Sequence, residues 1–166
     1  VDIAADSLDD LGLEHFMLEV GGEIQVRGTS PRGDSWRLAV ERPTPGSRGQ
    51  IFTAIEVSDI GVATSGDYRN FFEDGGRRFS HLIDPRTGYP IEHDLVSVTV
   101  VHPSTMIADA WATALMVVGT EEALRLADLY ELAVFLISLE DDQLVSSHND
   151  AMTRWLMEPE VGGEAK

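Results

Sequence analysis

Cysteine is absent from the 166 residues, so disulfides and thiolate metal sites are excluded, while the compartment stays open. Cations are scarce: eleven arginines and a single lysine, Lys166, stand against 29 acids, for a formal net charge of −17. An extended nucleic-acid surface needs clustered cations, so that class of partner is set aside. A small nucleotide site served by one metal ion remains compatible with the charge. No apolar run reaches the roughly 18–20 residues of a membrane-spanning helix. No signal peptide, internal repeat or low-complexity segment is visible. What is present is ordinary for one globular domain: 43% hydrophobic and 25% charged residues, enough to bury a normal core.

Periodicity divides the chain into short elements. Val1, Ala4, Leu8 and Leu11 fall on one helical face, and Gly12 can end that helix. A chain that opens inside a structured element is expected to belong with an upstream part. Strands are expected at 16–20 and 23–27 around Gly21-Gly22, then at 36–41, 51–57 and 60–64. Ser65 to Asn70 breaks that pattern and could start a short helix. Further strands are expected at 77–83 and 95–101. Ser104 is a suitable N-cap for a helix to about Val118, closed by Gly119, with a second helix from Glu121 to about Leu129. Runs at 134–139 and 143–145 read as a hairpin around Asp141-Asp142. The expectation is one α+β domain, an antiparallel β meander packed with helices, over residues 1–158, followed by a flexible tail at 159–166.

Three places could carry chemistry. Asp109 and Thr113 stand one turn apart on the helix after Ser104. With Ile107, Ala110, Trp111, Ala114, Leu115 and Val118 taken as the apolar arc, the pair points away from the core, with Ala112 and Met116 as its neighbours. Two oxygen ligands are too few for a protein-only cage but suit Mg²⁺, which keeps waters and shares substrate phosphates. The same pattern also describes a solvated helix face. His81 follows Ser80 and precedes Asp84 by three residues. Histidine titrates near neutrality and can serve as a general base, although a histidine at a strand end also serves structure alone. Asp84-Pro85 with Thr87-Gly88 is most simply a tight turn. Thr64-Ser65-Gly66-Asp67-Tyr68 could present backbone amides to a phosphate or act as an ordinary cap. Gly21-Gly22 allows close backbone approach to a ligand, or simply a hairpin turn.

Taken in order, these segments resemble a known family. They are Gly21-Gly22-Glu23-Ile24, Trp36 to Val40, Thr64 to Arg69, Ser80-His81-Leu82-Ile83-Asp84-Pro85-Arg86-Thr87-Gly88, Ser97 to Val100, and Ala108-Asp109-Ala110-Trp111-Ala112-Thr113. Over nearly all of the chain to about Trp155 the sequence is similar to the ApbE family of FAD:protein FMN transferases. The resemblance covers the C-terminal half of such proteins. It implies an ApbE/T-fold-like portion of a larger domain, an enzyme using Mg²⁺, and FAD as substrate. In that reaction FMN passes to a threonine of an acceptor flavoprotein and AMP is released. It further implies Asp109 and Thr113 as metal ligands, Ile83 and Ile3 as FAD contacts, and His81 as the group that accepts the threonine proton. By the same resemblance the acceptor belongs to a membrane redox complex, and the protein is a lipoprotein on the periplasmic side of the inner membrane. The missing N-terminal half of the same protein is expected to be a partner, supplying a backbone-carbonyl metal ligand just before Val1. Some relatives carry an acid where this chain has Ala112. The alternative from a different class is an FAD-binding protein, or one hydrolysing FAD to FMN and AMP, without transferase activity.

Overall fold

The computed structural model describes residues 1–44, 46–47, 49–67, 71–74 and 77–157. Its elements in chain order are α1 (Asp2–Asp10), β1 (Phe16–Val20), β2 (Glu23–Arg27), β3 (Trp36–Glu41), β4 (Ile51–Val57), β5 (Gly61–Gly66), β6 (Phe71–Asp74), β7 (Arg77–Ser80), β8 (Ile83–Asp84), β9 (Tyr89–Pro90), β10 (Leu95–His102), α2 (Thr105–Val118), α3 (Thr120–Leu129), β11 (Ala133–Glu140), β12 (Gln143–His148) and α4 (Asp150–Thr153). A six-stranded sheet runs β1-β2-β5-β10-β11-β12, with every neighbouring pair antiparallel. The α+β class is as expected, but the strands are not one continuous meander. Three hairpins, β3–β4, β6–β7 and β8–β9, form small sheets of their own between strands of the main one.

Short-range turn chemistry makes the hairpins. Gly21 and Gly22 join β1 to β2 with φ of +76° and +112°, the left-handed pair that a two-residue connection between twisted strands demands. Asp141 and Asp142 do the same between β11 and β12, at +47° and +62°. Aspartate tolerates that region better than most side chains.

The apolar runs of the central strands are explained by burial on both faces. In β11, Val134 and Leu136 join Val98, Val100, Leu115 and Met116 under α2 and α3. Ala133, Phe135 and Ile137 join Leu38, Val40, Ile55, Val57 and Met152 under the β3–β4 hairpin and α4. Side chains alternate across a strand, so covering both faces requires apolar residues at every position. Each fully buried Leu, Ile or Val contributes about 1.5–3 kcal/mol relative to exposure.

Helix α2 corrects one expectation. Its buried residues are Thr105, Ala108, Ala112, Leu115 and Met116. Ala110 and Ala114, assigned to the core arc, are exposed, and Ile107 is 38% exposed. The helix is apolar nearly all round, so periodicity could not choose its buried side. Ala112 and Met116, expected to be open neighbours of Asp109, lie in the core at 0% exposure. Asp109 and Thr113 flank the buried stripe; Asp109 is exposed and Thr113 half-buried. In α1 likewise, Ala5 is the buried residue, while Ala4 and Leu11 of the expected face are exposed. Ser65 and Gly66, where a short helix was expected to start, continue β5 instead; the rest of that expectation, Tyr68 to Asn70, lies outside the described residues, as does the tail at 159–166.

Ser104 caps α2 as the sequence predicts, its Oγ accepting from the Ile107 amide at 3.4 Å. The unexpected partner is Asp2. Its carboxylate accepts from the amides of Thr105 (2.8 Å) and Met106 (3.2 Å) and from Ser104 Oγ (2.5 Å). Partial burial pushes the Asp2 carboxyl upward, but the hydrogen bonds from Ser104, Met106 and Thr105 outweigh it and hold it below the usual carboxylate range. A depressed folded pKa means the stabilisation is present above the unfolded value of about 3.9 and is lost as pH falls through the folded one. Asp2→Ala is therefore expected to cost about 1 kcal/mol near neutrality. That deficit should shrink toward zero in acid below about pH 4, measured by urea unfolding across pH. A deficit unchanged at low pH would show that the carboxylate charge is not what caps the helix.

Candidate functional site

A cavity of about 440 Å³ opens where several distant segments converge. The β1–β2 turn supplies Gly21, Gly22 and Glu23. Strand β3 supplies Leu38 to Glu41, and β4 supplies Ile55. The last turn of β5 supplies Thr64, Ser65 and Gly66. His81 enters from the break between β7 and β8, and Asp109 from α2. Of the five residues singled out as site residues, His81 and Asp109 are thus brought into one cavity. Thr113 stands one helical turn beyond Asp109 and is not itself part of the lining. Ile83 and Ile3 are 49% and 84% exposed and lie outside the lining.

The break that presents His81 has a local cause. Ser80 is buried, its Oγ accepting from the Leu82 amide at 3.2 Å, and this folds the chain out of β7. The Ile91 amide donates to the Leu82 carbonyl at 3.1 Å, closing the loop that carries β8 and β9. Asp84 organises that loop. It accepts from the Arg86 backbone amide at 2.9 Å and from the Arg86 guanidinium at 2.8–3.1 Å. Its carbonyl takes the Gly88 amide at 2.8 Å, with Gly88 at φ +75°. The Arg86 guanidinium and amide together hold the Asp84 carboxyl below the usual range. Asp84 is therefore the anchor of the tight turn, while the exposed His81 faces the cavity.

The charge of the lining is one-sided. Glu19, Glu23, Glu41 and Asp109 all face the cavity, and no arginine or lysine does among the described residues. Asp109 has no ion-pair or hydrogen-bond partner there either. Two lining residues come from facing strands: Thr64 of β5 and Thr99 of β10 are register partners, and their hydroxyls meet at 2.9 Å. Of these acids the sequence singles out Asp109 as a site residue and none of the three glutamates, because surface glutamates carry no pattern of their own. Thr99 carried a usable signal, being a hydroxyl set between valines in a largely apolar strand.

A model of the ApbE family matches residues 1–136. The chain belongs to the ApbE family. A protein of Haemophilus influenzae named FAD:protein FMN transferase is 42% identical over 154 residues, covering 93% of this chain and 44% of that protein. One of the same name from Vibrio cholerae is 46% identical over 142 residues, covering 86% and 42%. Among solved structures, the flavin transferase ApbE from Vibrio cholerae superposes with a TM-score of 0.82 at 42% identity, over 94% of this chain and 49% of that one. The apo flavinyl transferase ApbE of Pseudomonas stutzeri gives 0.78 at 43% identity, over 91% and 46%. The chain thus spans less than half the length of these relatives. The ApbE match extends through α2 and α3 into β11, and so includes His81 and Asp109; β12, α4 and the residues after them follow it.

The donor chemistry fits the hard cation that the family resemblance implies. Among the described residues no group of three or more His, Cys, Asp or Glu is placed to hold an ion unaided. A carboxylate without a partner among the described residues, with a hydroxyl one turn on, suits Mg²⁺, which takes few protein ligands and completes its octahedron with water and phosphate oxygens.

Proposed function

We propose that this chain carries part of the active site of a Mg²⁺-dependent FAD:protein FMN transferase. The observation that carries the proposal is the convergence of His81, Asp109 and the Gly21-Gly22 turn on one cavity. Its volume is in the range of small-molecule sites. The acidic lining supports the metal: a diphosphate entering among four carboxylates needs a cation to be held there.

In this reading Asp109 and Thr113 hold the Mg²⁺, with a further ligand from outside the chain. When bound, the metal supplies charge neutralisation at the phosphates. The glycine turn lets backbone approach the flavin nucleotide without Cβ interference. His81 takes the proton from the acceptor threonine hydroxyl. The threonine oxygen then bonds to the phosphorus of the FMN portion, the bond from that phosphorus to the bridging oxygen breaks, and AMP leaves with the oxygen. Ile3 and Ile83 contact FAD at the rim of the completed site. The acceptor is a flavoprotein of a membrane redox complex, and the protein works as a lipoprotein on the periplasmic side of the inner membrane.

The test is incubation of the full-length protein with FAD, Mg²⁺ and a threonine-bearing acceptor, reading protein-bound flavin and AMP by mass spectrometry. Equal amounts of both are expected. AMP with free FMN and no flavinylated protein would replace transfer by hydrolysis; intact FAD would remove catalysis altogether.

A further inference from the structure

We propose that Trp155–Met157 is a strap that positions the β3–β4 wall of the cavity and so sets the affinity for the flavin substrate; this rests on the transferase reading above. Among the described residues the hairpin forming the wall shares no backbone ladder with the main sheet; the Trp36 indole N–H reaches the Arg27 carbonyl of β2 at 2.9 Å from the β3 side. One edge of β4 is taken by β3, and the other is taken by the strap. The Glu56 amide donates to the Trp155 carbonyl at 2.8 Å, the Met157 amide donates to the Ala54 carbonyl at 3.2 Å, and Ile55 and Leu156 are antiparallel bridge partners. Ile55 is fully buried and lines the cavity, as do Leu38 and Val40 on the paired strand. No residue of the strap lines the cavity itself, so its action is through the wall.

The other end of the strap is fixed. Its first residue follows α4 closely, the Trp155 amide donating to the Met152 carbonyl at 2.9 Å. Met152 is fully buried against the same cluster as Ile55. Asn149, ahead of α4, donates through Nδ2 to the Leu132 carbonyl (2.7 Å) and to Asp128 (3.0 Å), and accepts from the Val134 amide at 3.2 Å. The path from the wall to the main sheet therefore runs β4, strap, α4, β11. Without the strap, the hairpin would be held on that side by side-chain packing alone, which is non-directional and permits sliding.

The experiment compares Met157→Pro with Met157→Ala in the full-length protein. Proline removes the donor of the bond to Ala54; alanine keeps it. The proline variant is expected to raise the KM for FAD about three- to tenfold with kcat within about twofold, the alanine variant to change neither by more than about twofold. Hydrogen exchange of the amides at 51–57 should quicken in the proline variant, and this readout needs no turnover. In the unaltered protein the Glu56 and Met157 amides should be protected. Unprotected Glu56 and Met157 amides in the folded protein, or equal KM and exchange in the two variants, would overturn the strap. An inactive but normally protected protein would instead count against the transferase reading.

Discussion

Asp109→Ala is expected to abolish covalent flavin transfer and to weaken Mg²⁺ binding in the presence of FAD by at least about a hundredfold, while leaving the fold intact. Loss of groups that merely orient a metal ligand costs about 10–100-fold, so loss of the ligand itself sits at or beyond that range. The side chain is exposed on α2 and packs into neither apolar cluster. Surface changes of this kind move stability by about 0.5 kcal/mol or less. Here even a small gain is reasonable, because the cavity also holds Glu19, Glu23 and Glu41, and removing one of four like charges relieves repulsion. The checks are calorimetric or Mn²⁺ titration with FAD, and a thermal melt on the same sample. Unchanged metal affinity in the alanine variant would remove Asp109 from the metal site.

Ala112→Asp, three residues along the same helix, should do the opposite: collapse the fold before any effect on the metal can be read. Ala112 is fully buried among Ala63, Val98, Leu115 and Leu136. A carboxylate there has no partner and no water. Burying it costs several kcal/mol even after it takes up a proton, against a total stability of about 5–15 kcal/mol for a domain. The pH dependence is specific. The buried acid's folded pKa is raised, so its destabilisation is greatest above that raised value and eases as pH falls toward the ordinary value of about 3.9. Urea unfolding at neutral and mildly acidic pH would show the variant's deficit narrowing in acid. A stable variant with tightened metal binding would instead place residue 112 beside the cation. An acid at position 112 therefore has no open room in this chain.

Much of the local structure was legible. The bounds of β1, β2, β3 and β4, the Ser104 cap and the Asp141-Asp142 turn follow from apolar periodicity and turn residues, which act over a few neighbours. Where a helix was expected to start, strand pairing overrode local signals: Ser65 and Gly66 find partners in Val98 and Ser97. The rotation of α2 was illegible for a different reason. A helix apolar on most sides offers several faces for burial, and the sheet beneath it makes the choice.

Composition alone set aside thiol chemistry and broad nucleic-acid binding, and the order of the glycine, histidine and aspartate motifs was enough to indicate the family. Those features are written in single residues and in their spacing. The tertiary structure decided what spacing cannot. It set His81 and Asp109 around one acidic cavity, turned Ala112 into the core, and brought Asp2 to cap a helix more than a hundred residues later. It also laid the last described residues along the outer edge of β4. Each of these joins groups far apart in the chain. The hydrogen bond or apolar contact that makes the join exists only after the intervening chain has folded, so no local pattern records it.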